Sequence, residues 1–110
     1  MDKQLIIARL AREIGVKDFQ VANTVEMLDQ GATIPFISRY RKEKTGSLDE
    51  VAISSIQDAW KKAMELEARR ETVLKTIDEQ GLLTKELKSR IEGVYSLSEL
   101  EDIYLPFKPK

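Results

Sequence analysis

Four basic side chains crowd into residues 39–44: Arg39, Arg41, Lys42 and Lys44, opposed by the single acid Glu43. Phe36, Ile37 and Tyr40 precede and interleave them. Cations free to reach phosphates carry most of the affinity of a nucleic-acid surface, and an open tyrosine can stack on a base. A competing reading places Phe36 and Tyr40 in a core and leaves the charges solvated or paired, as charge runs commonly are. A third gives Arg39 or Arg41 a bidentate pair with an acid on another helix.

Other chemistry is scarce. Glu99, Glu101 and Asp102 offer carboxylates for acid–base work or magnesium. They sit on an apolar helix with no glycine-rich phosphate cradle, and a solvated or base-paired face is the simpler reading. The chain has no cysteine and no histidine. Disulfides, thiolate metal sites and a Ser-His-Asp triad are thereby excluded. No enzyme activity, cofactor or metal is expected. Trp60 shares a stripe with Ile56 and Ala63 and reads as core rather than as a partner anchor. Arg69 and Arg70 are expected to face either solvent or an absent domain.

These residues must be held by helices. The 110 residues are 42% hydrophobic and 34% charged, which suits one folded domain or a fragment of a larger protein. Glycine and proline fall only at punctuation points, and strong helix formers fill the stretches between. The expected fold is all-α. A helical hairpin plus a short helix packs on one long central helix, and two shorter helices follow.

The first helix is expected over residues 2–14, from Asp2 to a stop at Gly15, burying Leu5, Ile6, Leu10 and Ile14. The second runs over 18–30 with Asp18 as cap, burying Val21, Val25 and Leu28. Thr33 caps the third, with Pro35 in its first turn. Its apolar face is read as Phe36, Ile37 and Tyr40, with Arg39 and Lys42 pointing away. Ser47 and Glu50 form a capping-box pattern. The next glycine is Gly81, so a helix of about 33 residues, roughly 50 Å, is expected. Its apolar positions are Val51, Ile53, Ile56, Trp60, Ala63 and Met64, then Val73, Leu74 and Ile77. Asp58–Lys62, Glu65–Arg69 and Glu71–Lys75 have the spacing of helix ion pairs. Glu67 and Arg70 interrupt the seam, which favours a strut between two packing clusters over a coiled coil. Thr84 and Ser96 cap two further helices, and Pro106 ends the last before an extended exit. The sub-parts are 1–46, a helix-turn-helix-like unit; 47–81, the long helix; and 82–110, a helical pair and exit segment.

Net charge is −1 overall, which gives no global attraction to nucleic acid. Residues 1–46 carry net +2 and residues 47–110 net −3. Any such binding must be local. No apolar run approaches the roughly 20 residues of a membrane span, and a cytoplasmic protein is expected.

The blocks "GATIPFISRYRKEKTGSLDE", "EARRETVLKTIDEQGLLTKEL" and "SLSELEDIYLPFKPK" resemble the N-terminal region of the bacterial Tex family, the transcription accessory proteins. Their order and spacing match across nearly the whole chain, and Phe107 stands where the family usually has tyrosine. The resemblance implies a protein several times longer. In the family, an RNase-H-like domain, helix-hairpin-helix elements and a C-terminal OB-fold RNA-binding domain follow this region. It also implies links to transcription and nucleic-acid binding, credited mostly to the OB-fold, and no catalytic residues here.

The leading expectation is a non-catalytic scaffold module whose partners are the remaining domains, with RNA, DNA or RNA polymerase as further candidates. Self-association through surface left open by missing domains is a related expectation. That scaffold reading places open apolar surface at Val73, Leu74 and Ile77. The rival is a direct nucleic-acid binder using residues 39–44.

Overall fold

The computed structural model describes residues 2–109. Seven α-helices follow one another: α1 (Lys3–Ile14), α2 (Asp18–Asp29), α3 (Ile34–Tyr40), α4 (Lys42–Thr45), α5 (Glu50–Glu79), α6 (Lys85–Glu92) and α7 (Leu97–Tyr104). A 3₁₀ turn over Leu105–Phe107 follows α7, in place of the extended exit expected there. No strand occurs among the described residues, in agreement with the all-α reading. Two compact units are present, one up to Ala63 and one from Met64 onward, with the boundary inside α5.

In the first unit, local chemistry sets the helix ends. Asp2 accepts the N–H groups of Gln4 and Leu5 at 3.0 and 3.3 Å and caps α1. Gly15 closes α1 in the left-handed conformation. The buried face of α1 is Ile6, Ile7, Leu10 and Ala11; Leu5 is exposed and Ile14 half-buried, so the stripe is rotated from the expected one. The cap of α2 is Lys17 rather than Asp18: its N–H donates to Gln20 Oε1 at 2.9 Å. Val21, Thr24 and Val25 are buried, and Leu28 is only half-buried.

Helix α2 touches α1, α3 and α4. Its Gln20 Nε2 donates to the Thr45 carbonyl at 2.7 Å, and Asn23 Nδ2 donates to the Lys44 carbonyl at 2.7 Å. A four-residue helix such as α4 has no stability of its own. These two amides satisfy carbonyls that its end leaves open.

Gly46 then reverses the chain at φ +65°, where an added Cβ would lie 2.8 Å from Gln20 Nε2 and 3.3 Å from Phe19 Cζ. Gly46→Ala should therefore lose about 2 kcal/mol, combining left-handed strain with a disturbed Gln20 bond. An unchanged urea midpoint would show that the turn relaxes freely. Ser47 follows at φ +67° and cannot cap α5. Asp49 does so instead, accepting the Ala52 N–H at 2.8 Å. That makes α5 a 30-residue helix rather than one of about 33.

In the second unit, Leu66, Val73, Ile77, Leu87, Ile91, Leu100 and Tyr104 form one core cluster. Leu74, Leu83, Val94, Ile103 and Phe107 pack against it. Val73 and Ile77 are fully buried, so the apolar surface expected there for docking is already covered. Thr84 and Ser96 cap α6 and α7 as expected, accepting the Leu87 and Glu99 N–H groups at 3.1 and 3.2 Å.

Arg69 is half-buried in an ion pair within the second unit, and Arg70 is buried, so neither is simply turned to solvent. Arg70 is 7% exposed. Its Nη1 donates to the Ile91 carbonyl, and its Nη2 donates to the Val94 carbonyl at 2.8 Å and to Glu67 Oε1 at 3.2 Å. Gly93 has right-handed backbone and so does not close α6 in the usual left-handed way. The guanidinium supplies donors at that helix end instead.

Arg69 makes the bidentate pair that the sequence offered to Arg39 or Arg41. Its Nε and Nη2 donate to the two Glu101 carboxylate oxygens at 2.6 and 3.2 Å. Lys108 Nζ lies 3.3 Å from Glu101 Oε2. Hydrogen bonding from Arg69, aided by Lys108, holds the Glu101 carboxyl below the ordinary carboxylate range. A depressed folded pKa contributes stability above the unfolded value of about 4.3, and that contribution disappears as pH falls through the folded pKa. Glu101→Gln should therefore cost up to about 1 kcal/mol at neutral pH, since the pair is partly exposed. The gap between the urea midpoints of variant and parent should close in acid, as the Glu101 carboxyl takes up its proton. A gap that persists in acid would assign the loss to packing. None of the three helix pairs expected along α5 closes to an ion pair.

Candidate functional site

The basic segment spans α3, its break and α4. Thr33 caps α3, accepting the Phe36 N–H at 3.3 Å, and Pro35 lies in the first turn. The helix stops at Tyr40. Arg41, at φ −129° and ψ 34°, separates it from α4. The segment is thus two short helices meeting at a cationic residue, not one.

The buried face of α3 is Ile37 and Ser38. The Ser38 hydroxyl donates to the Pro35 carbonyl at 3.0 Å and lies 3.5 Å from Glu50 Oε1. Phe36 and Tyr40 are 38% and 63% exposed, which corrects the reading of these rings as core. The physical reason is helical geometry. Ile34, Ile37 and Ser38 share one side at spacings of three and four, whereas Phe36 and Tyr40 share another. The fold buries the side with the smaller residues.

The exposed side is ordered all the same. The Phe36 and Tyr40 rings lie 5.4 Å apart at 46°. The Arg41 guanidinium carbon sits 4.8 Å from the Phe36 ring centre, and its Nη1 donates to the Tyr40 carbonyl at 2.9 Å. Arg39, Arg41, Lys42 and Lys44 are all exposed. Among the described residues none of the four forms an ion pair. The structure therefore brings all four candidates onto adjoining elements, with their positive charges unneutralised.

Sequence reasoning missed Gln20 and Asn23, which hold α4 in place. Both are polar residues inside a helix, and nothing local distinguishes them from a solvated face. The carboxylates Glu99, Glu101 and Asp102 form no cluster suited to a metal: no group of three or more His, Cys, Asp or Glu that could hold an ion occurs among the described residues. No helix among the described residues is long and apolar enough to cross a membrane.

Fold and segment together define a small all-helical domain carrying an open, ring-flanked basic strip. The sequence profile described as the Tex-like protein N-terminal domain matches residues 4–78, and the chain belongs to this family. It is 49% identical over 110 residues to "Protein tex" of Bordetella pertussis, covering all of this chain and 14% of that protein. It is 45% identical to "Transcriptional accessory protein Tex" of Neisseria gonorrhoeae, over 92% of this chain and 13% of the relative. The human "S1 RNA-binding domain-containing protein 1" is 24% identical, over 90% of this chain and 10% of its own length. The chain thus spans a small fraction, 10% to 15%, of the curated relatives it matches.

Proposed function

We propose that this chain is the non-catalytic N-terminal module of a cytoplasmic transcription accessory protein, and that its first unit contacts nucleic acid through Arg39, Arg41, Lys42 and Lys44. The observation that carries the reading is the absence of any ion pair to these four side chains among the described residues. Unpaired surface cations are available to displace counterions from a phosphate backbone. The names of the relatives, one a transcriptional accessory protein and one bearing an S1 RNA-binding domain, support the same direction.

The scaffold reading keeps a narrower basis. Of its expected docking stripe, Val73 and Ile77 are covered and Leu74 is half-buried. What favours it is the order that Arg69 and Arg70 impose on the second unit, which suits a rigid support for further domains.

A salt titration tests the contact. Four phosphate contacts on a single strand imply that affinity falls about 50-fold between roughly 50 and 200 mM salt. Absence of binding by the 110-residue chain at low salt, or binding indifferent to salt, would sink the proposal.

A further inference from the structure

We infer that Tyr40 and Phe36 form a stacking platform for unpaired bases, so that the basic segment takes single-stranded nucleic acid in preference to duplex. This rests on the reading that the segment contacts nucleic acid.

The first support is what the fold leaves unused. Helix α3 buries Ile37 and Ser38 and leaves its two aromatic rings open. Fully burying an aromatic side chain stabilises a fold by about 1.5–3 kcal/mol. Tyr40 is left largely in water, and Phe36 beside it keeps about a third of its surface open while Arg41 lies over its ring, so Tyr40 offers the main stacking face to a ligand. The rings' tilt of 46° shows that they do not consume each other's faces in a parallel stack.

The second support is order. Arg41 lies against Phe36 and is tied to the Tyr40 carbonyl, so one cation is held beside the rings rather than sweeping freely. Pre-placement of that kind lowers the entropic cost of binding.

The third is charge complementarity. The rings are bracketed by Arg39, Arg41, Lys42 and Lys44, none with an anionic partner among the described residues. The occupant that satisfies both features is a polyanion carrying flat π faces. A single strand is one. A duplex presents the same phosphates but keeps its base faces inside the stack. An acidic peptide would meet the cations and leave the rings idle. Stacking on a ring is indifferent to the sugar, so RNA and DNA strands of one sequence should bind within a few-fold of each other.

The test uses the 110-residue chain and fluorescence anisotropy at low salt. The probes are a labelled DNA strand, the matching RNA strand and the DNA duplex. Both strands should bind about 10-fold more tightly than the duplex. Tyr40→Ala should weaken strand binding roughly 10-fold, leave duplex binding unchanged, and be rescued by Tyr40→Phe. Phe36→Ala should act in the same direction. Tyr40 is exposed, so a circular dichroism spectrum like the parent's is expected and keeps the result interpretable. Equal affinity for strand and duplex, or an equal loss on both in Tyr40→Ala, would overturn the platform and leave the phosphate reading intact. Poly-glutamate of matched charge that binds as tightly as the strand would mark the site as one for acidic protein and overturn the platform. No binding of any probe would overturn both readings.

Discussion

Arg70→Met should destabilise the chain by about 3 kcal/mol, a fifth to three fifths of the stability of an ordinary domain. Methionine fills a comparable volume and adapts to irregular gaps, so the loss reports hydrogen bonding more than packing. The magnitude follows from an asymmetry. Replacing both members of a buried ion pair by apolar groups is often neutral. Here two of the three acceptors are the main-chain carbonyls of Ile91 and Val94, which no side-chain substitution can remove. They would be left without their donor, next to the negative end of α6. Arg70→Lys should recover part of the loss, because an ammonium retains the charge but not the planar fork that reaches several acceptors at once. Urea denaturation measures all three proteins. If Arg70→Met matches the parent, water reaches those carbonyls and the arginine is not needed to close α6.

Replacing Arg39, Arg41, Lys42 and Lys44 together by glutamine should abolish the salt dependence of nucleic-acid binding. On a single strand each lost contact removes about 0.7 from the slope of log affinity against log salt, so the parent slope of about −2.8 should approach zero. Arg39→Ala with Lys42→Ala should retain about half of it. Affinity at low salt should fall more than roughly 100-fold in the fourfold variant. Stability should barely change, because these side chains are exposed and only Arg41 touches the fold, through Phe36 and the Tyr40 carbonyl. That separation makes the experiment decisive: a folded variant that binds as the parent does removes Arg39, Arg41, Lys42 and Lys44 from the interface. The salt slope reports phosphates and the Tyr40 variants report bases, so the two effects are read independently.

The helix ends were legible because capping is local. Asp2, Gly15, Thr33, Thr84 and Ser96 do in the structure what their residue types predict. Ser47 shows the limit. Its capping-box spacing to Glu50 is intact, yet Gly46 drives the next residue into left-handed backbone and passes the cap to Asp49. The ion pairs failed for an energetic reason. An exposed pair at helical spacing contributes only about 0.3–0.5 kcal/mol. Arg69 instead finds a two-bond partner in Glu101, thirty-two residues away, and charge-assisted bidentate bonds are stronger.

Sequence by itself determined the all-α class, most helix boundaries, the family and the membership of the basic segment. These depend on residue type and short spacing. Tertiary packing determined which side of α3 is covered and which cations stay open. A helical wheel offers faces, but only the neighbouring elements select one. Arg70 carries both lessons. Its type was visible as an interruption of the apolar seam that runs through Ile53, Ile56, Trp60 and Ala63. That the interruption is a buried donor to the end of α6 required the carbonyls of Ile91 and Val94 to be brought to it.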